Sequence, residues 1–471
     1  MTPMSRPSRL IGPLFLAALI AAPPGARAAP RPMRLGDAVA EALRRNLQLE
    51  QARAKVEESE ESRRATRGNF GPSVTVDASL QYWDDKLEFA MSSPSPEAQA
   101  KLMAESVEHQ KLVATLLGLF SFGAIREQLT AQIGVTALQP LTPLYTVAKA
   151  YEAAKLGCAA ARLDLTAAEE GIVYDVTRAY VGLKQASAGV EIGKTAVEQV
   201  GAHLKQARTF AKVGMIAENE VLKADLALAE ARQQLIQIQA AESLAQSALA
   251  LLLGLPPSDV ITPVETFADP PPKLREGLDA LVGVALQRRP ELKAMSHRVE
   301  MAHKGKQIAR WDLAPQIVAM ATYSHNEGNG VFQPKDTFFV GGALKWKIWD
   351  WGATYYSGNV AAQKVRQAQI GEKQLKDGVY LEVKKAFLDV RTADQTLEAT
   401  RTSVTQAEEN FRIERVKFDK NTSTTTDVLD AQLSLTRAKL SHSNALHQWY
   451  AARAALAKAI GGTASAKEAS R

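Results

Sequence analysis

Two hydrophobic periods alternate along this chain. Apolar residues at helical spacing run from Leu35 to about Phe70, from Thr142 to about Lys212 and from Glu218 to about Leu253. Between the first two, Val74, Val76, Ala78, Leu80 and Tyr82 alternate with Thr75, Asp77, Ser79 and Gln81, the period of a strand with one apolar face. Ala131, Ile133, Val135 and Ala137 alternate likewise before Pro140. The pattern then recurs: strands over about 316–325 and 337–348, a long helix from Ala353 to Phe418 and a last helix after Thr424.

The recurrence keeps register. Leu35, Ala42, Leu49 and Pro72 find counterparts 243 positions on, at Leu278, Ala285, Leu292 and Pro315. Beyond Ala131 the offset is 207, carrying Val176 onto Val383, Leu222 onto Leu429 and Gly254 onto Gly461. The two halves are therefore expected to be copies, 29–254 and 278–461, each reading helix, strand, strand, long helix, helix. The change of offset places an insert in the first copy, about 84–128 between strands at about 73–83 and 129–141. Ser95-Pro96 is expected to start a helix running to Leu117, with Leu116, Leu117, Leu119 and Phe120 packing at a rim. A proline-rich linker, 255–277, joins the copies, and 462–471 is a tail.

No proline falls between Pro143 and Pro256, nor from Lys335 to the end, which permits very long helices. The two longest span roughly 100 Å each, and the others roughly half that. Thr142 is the expected N-cap of the first, with Pro143 in its opening turn. Such length matching fits a wall of uniform height.

Composition settles the compartment. Arg6 and Arg9 precede an apolar run, Leu10 to Ala22, and Ala26-Arg27-Ala28 offers small residues for cleavage, so 1–28 reads as a secretory signal peptide. Its three arginines account for half of the +6 charge, which removes any argument for a nucleic-acid partner. Cys158, the single cysteine, allows no internal disulfide, and no cysteine stands at the cleavage site to carry a lipid. No later run is apolar for ~18 residues, so a helical span is not expected. Strands of about ten residues with one apolar face suit a membrane barrel, but four strands cannot close one. Open edges are not tolerated in lipid, so insertion demands an oligomer; periodicity alone does not choose among two, three or four subunits.

The duplicated plan resembles the TolC-like outer-membrane efflux family over almost the whole mature chain. The likeness also rests on two hairpin turns, Lys212-Val213-Gly214-Met215-Ile216-Ala217 and Thr424-Thr425-Thr426-Asp427-Val428-Leu429-Asp430-Ala431. Leu138-Gln139-Pro140-Leu141 and Leu344 to Asp350 are similar to the family's strand ends. The resemblance implies a mixed α and β membrane protein: a homotrimer whose 12-stranded β-barrel continues into a 12-helix periplasmic α-barrel. It implies a passive exit duct in outer-membrane lipid, opened by a periplasmic adaptor that joins it to an inner-membrane transporter for efflux or type I secretion. Adaptor contact is expected at Val213, Gly214, Met215, Asn421 and Thr422. Asn421 stands where the family commonly has Gly, and 421–426 lacks a basic residue, so a charged latch in that turn is not expected.

Chemistry for catalysis is not apparent. The seven histidines include no i, i+4 pair, and no phosphate loop, nucleophile elbow or CxxC occurs; neither enzyme, cofactor nor metal is expected. Asp427 and Asp430 have two readings. Asp427 can close a capping box with Thr424, leaving Asp430 as solvated surface. With the family likeness, both instead ring the periplasmic mouth as a gate. The first copy has Glu220 and Lys223 at these positions, so one hairpin alone supplies the rings. A soluble periplasmic coiled-coil adaptor or scaffold is the alternative class.

Overall fold

The computed structural model describes residues 31–88, 95–104, 106–119, 124–267, 276–330 and 333–462. The signal-peptide reading at 1–28 and the tail beyond 462 lie outside them. So do the side chains of Leu116, Leu117 and Leu119, and all of Phe120, on which the rim packing was expected.

The chain opens with β1 (Arg31–Met33), α1 (Leu35–Arg45) and α2 (Leu47–Gly68), then β2 (Ser73–Tyr82). The insert holds β3 (Leu87–Glu88), α3 (Pro96–Met103), α4 (Val107–Leu119) and β4 (Ala124–Arg126). β5 (Leu129–Pro140) leads into α5 (Leu144–Lys212), α6 (Glu218–Leu252) and β6 (Ile261–Pro263). The second half runs α7 (Leu278–Arg288), α8 (Pro290–Trp311), β7 (Gln316–Glu327), β8 (Asp336–Lys345), α9 (Ala353–Asp419) and α10 (Thr425–Ala459).

β2, β5, β7 and β8 form one antiparallel sheet in that order, leaving β2 and β8 as edges. The register aligns the alternation across all four strands. Val76, Val135, Tyr323 and Phe338 form one cross-strand row, and Val74, Ala137, Ala321 and Val340 the next. The opposite face is mixed: Thr75, Thr136, Thr322 and Phe339 share one row, with the Thr136 and Thr322 hydroxyls 3.4 Å apart, and Ser73, Leu138, Met320 and Gly341 share the next. On the two edge strands the apolar face is bare, Val76, Leu80, Tyr82, Phe338, Val340 and Leu344 each being 64–75% exposed, while Val135, Ala137 and Ala321 between them are half-buried.

α5 and α9, at 69 and 67 residues, each extend for about 100 Å. The upper half of α5 is tied to α2 by Arg162–Glu60 at 2.7 Å and to α8 by Lys304–Glu152 at 2.6 Å and Arg298–Asp164. Its lower half meets α6 through Ser187–Glu242 at 2.6 Å and α10 through Gln185–Asn444 at 2.8 Å. One long helix thus lies along two short ones placed end to end. Among the described residues no helix is long and apolar enough to cross a membrane, which leaves the sheet unaddressed.

The core sits where the short helices meet. Ala42, Leu49, Val176, Leu183 and Leu249 share one cluster; Ala285, Leu292, Val383, Val390 and Leu456, at the offsets read from sequence, share another. Leu183 and Val390 differ by 207 as well, so the offset is kept by buried positions.

Four local expectations change. The Leu35 to Phe70 stretch breaks at Asn46, whose side-chain amide donates to the Leu252 carbonyl at 2.9 Å while its oxygen caps Gln48. Thr142 does not cap α5: Pro143 holds that place, and the Thr142 hydroxyl donates to the Pro315 carbonyl and accepts from the Ile317 amide. The helix from Ser95 divides into α3 and α4, although the Ser95 hydroxyl does accept from the Ala98 amide. β8 ends at Lys345, opposite Gln316 where β7 begins, and just beyond it the Trp346 indole donates to the Leu313 carbonyl.

Candidate functional site

Both hairpins turn by the same device at the end remote from the sheet. After α5, the Met215 amide reaches back to the Phe210 carbonyl, 2.9 Å, and Gly214 takes φ +76°. After α9, the Thr422 amide reaches the Lys417 carbonyl, 2.9 Å, and Asn421 takes φ +57°. A left-handed residue at this point lets the last carbonyls of the helix find donors. Asparagine at 421 therefore does glycine's work, as its short side chain permits. Val213, Gly214, Met215, Asn421 and Thr422 are all exposed on these tips.

Asp427 sits in the first turn of α10 and completes a capping box. Its carboxylate accepts the Thr424 amide at 2.9 Å and the Thr424 hydroxyl at 2.7 Å, while Thr424 Oγ1 accepts the Asp427 amide at 3.2 Å. Those bonds to Thr424 hold its carboxyl below the usual carboxylate range. Asp430 lies one turn further, exposed. Glu220 occupies the matching place on α6 and is taken by Lys223 at 2.8 Å. Lys223 also donates to the Thr426 hydroxyl, 3.3 Å, so it bridges the first hairpin to the second.

A small core backs the tips. Val200 and Leu204 of α5 meet Ala224 and Leu228 of α6, with Leu429 of α10 against them. Phe418, in the last turn of α9, is buried on α5: its ring lies 4.7 Å edge-on from His203 and 5.6 Å stacked from Phe210. Next to it Gln206 donates to Asp419 at 2.6 Å. Sequence reading passed over these residues. The available signal was that Phe418 corresponds at the offset of 207 to Ala211, a large ring where the other half needs none.

The sequence model of the family described as "Outer membrane efflux protein" matches residues 38–255 and 281–462. The chain belongs to that family. Nodulation protein T of Rhizobium leguminosarum bv. trifolii is 20% identical over 313 residues, which is 66% of this chain and 67% of that protein. The solved outer-membrane channel CmeC of Campylobacter jejuni superposes with TM-score 0.72 at 17% identity, covering 91% of this chain and 86% of CmeC. CusC, whose crystal structures concern folding and transmembrane channel formation, gives TM-score 0.74 at 17% identity over 94% and 96% of the two chains. At such identities the likeness speaks for the fold, which is that of the TolC-like outer-membrane channels.

The match of this efflux-family chain is interrupted between 255 and 281, the linker, where β6 pairs in parallel with β1. Tyr180 closes that junction: its hydroxyl contacts the Met33 carbonyl at 2.9 Å and the Glu265 carboxylate. Where the efflux-family sheet meets its helices, Trp346, Trp349, Trp351, Tyr355 and Tyr356 stand exposed. Among the described residues, no group of three acids, histidines or cysteines is placed to hold a metal ion.

Proposed function

We propose that this chain is the outer-membrane exit duct of a tripartite efflux or type I secretion system, working as a passive homotrimer. The observation that carries the reading is the four-stranded sheet, with one apolar face, bare on its edge strands, and two unpaired edges. In lipid the apolar face is satisfied, but the edges are not until another copy pairs with them. Three copies give a closed 12-stranded barrel, with the mixed face lining a wet interior. The exposed aromatics from Trp346 to Tyr356 then lie at the periplasmic lipid interface, where amphipathic rings settle. The long helices continue the wall into the periplasm as a 12-helix barrel. A soluble coiled-coil adaptor has no use for this sheet face.

The hairpin tips are then the periplasmic mouth. Val213, Gly214, Met215, Asn421 and Thr422 are the surface an adaptor meets, and the adaptor links the duct to an inner-membrane transporter. Asp427 and Asp430, repeated by the trimer axis, form carboxylate rings that favour cations and narrow the mouth. Native mass measurement in mild detergent tests the assembly, and planar-bilayer conductance tests the channel. A monomer that keeps its full strand content in detergent would sink the proposal.

A further inference from the structure

We propose that Phe418, clasped by His203 and Phe210, is the catch that holds the second hairpin closed against the first, and that this catch releases in acid. The inference rests on the channel reading above and deepens it.

The geometry singles out this contact. α9 lies against α10 and α8 along its length, yet at its last turn Phe418 leaves that company and inserts its ring into α5, 2% exposed. Any outward swing of the α9–α10 hairpin that widens the mouth must withdraw Phe418 from between His203 and Phe210. Two polar links flank it, Gln206 to Asp419 and Lys223 to Thr426. Both join exposed groups and are therefore weak in water; the buried ring carries the greater share of the contact. The hairpins are thus held at this end by an aromatic wedge, with no ion pair between them in the 421–426 turn.

His203 makes the wedge conditional. It is buried, and its Nε2 has no hydrogen-bond partner. Protonation places a hydrogen on both ring nitrogens, and no acceptor faces Nε2. The charged groups acting on the imidazole both come from α9: Arg415 opposes the added charge and Asp419 favours it. α6 and α10 face this end of α5 with Ala224, Leu228 and Leu429, while Asp225 of α6 is engaged by Arg208 and Asp427 of α10 by Thr424. Burial first, then Arg415, pushes the His203 pKa below the ordinary histidine value.

The sign follows. Withdrawing Phe418 exposes the imidazole to water and returns its pKa toward 6.5. The closed state thus binds the proton less well than the open one. His203 supports closure in full above that ordinary value and gives up its support as pH falls below it toward the depressed closed-state pKa. Each unit of difference between the two states is worth about a tenfold change in the closed-to-open ratio. The second half has Asn410 at the equivalent position, so the device belongs to one side of the contact alone.

The test is planar-bilayer recording of the full-length trimer from neutral pH down through the histidine range. Wild type is expected to stay closed at neutral pH and to lose closure progressively as pH falls below the ordinary histidine value. His203→Phe, which keeps a ring but cannot titrate, should stay closed throughout. Phe418→Ala and the gentler Phe418→Leu should open already at neutral pH, with melting temperature checking that the trimer is intact. Retention of the acid step in His203→Phe, with its loss in Asp427→Asn/Asp430→Asn, would assign the titration to the mouth carboxylates and overturn the catch. An intact Phe418→Leu trimer as closed as wild type would overturn it too. Failure of every version to conduct strikes at the channel reading itself, which keeps the two failures apart.

Discussion

At the residue scale, one position decides each hairpin turn and one carboxylate closes a helix cap. Asn421 holds φ +57°, a conformation that costs a β-branched side chain roughly 1–2 kcal/mol. Asn421→Gly should therefore leave thermal stability equal or slightly raised, and Asn421→Val should lower it by about that amount. Asp427 is fixed by Thr424, so its depressed pKa makes a stability contribution that is present above the ordinary carboxylate value of 3.8 and fades as pH falls through the lower folded-state value. Amide exchange in the first turn of α10 should accelerate there relative to α6, whose N-cap Ala217 offers no side chain. Asp427→Asn should remove the difference in pH response. Asp430 has no part in the box, so Asp430→Ala should weaken block by multivalent cations without moving the melting temperature. If block survives Asp427→Ala/Asp430→Ala and stability alone suffers, the carboxylates are caps and no gate.

At the element scale, the ends of the short helices are set by partners some two hundred residues away. Gly254 follows α6 with φ +69°, and a Cβ there would lie 2.7 Å from the Arg45 carbonyl oxygen. Gly461 follows α10 with φ +65° and meets Arg289 in the same way, a Cβ falling 3.0 Å from its backbone nitrogen. These contacts account for the breaks between α1 and α2 and between α7 and α8, since the end of another helix fills the notch. Gly254→Ala combines the left-handed strain with a backbone clash and should cost more than about 1–2 kcal/mol. Gly378→Ala, within α9 and with no atom in the way, should stabilise by up to about 1 kcal/mol. Urea unfolding of the two variants side by side would expose any error in this ranking.

At the scale of the whole molecule, the proposed trimer gives the open sheet its missing partners. A sheet apolar on one face and open at both edges is an aggregation hazard in water and a subunit in lipid. The insert between β2 and β5 belongs to the end of the sheet opposite the helices, which in the proposed duct is the extracellular mouth. An epitope tag placed beside Ser95 should be reached by antibody on whole cells, and deleting the insert should alter conductance while sparing trimer assembly. Tags found only on the periplasmic side would reverse the orientation.

The sequence by itself determined what depends on near neighbours. Strand parity from Val74 to Tyr82, the Thr424 box and the left-handed Asn421 all follow from side chains within one or two turns of each other, whose energetics need no tertiary partner. Family membership was legible for the same reason, because the offsets of 243 and 207 preserve those local patterns across the two halves. Tertiary structure alone decided which positions obey long-range demands. Asn46 leaves its helix for Leu252, Thr142 leaves its cap for Pro315, and Phe418 leaves its own hairpin for His203. In each case the local rule was sound, but a backbone group or pocket brought from 173 to 215 positions away offered the side chain a buried partner, and a buried polar group or ring gains more from such a partner than from the solvent-exposed alternative.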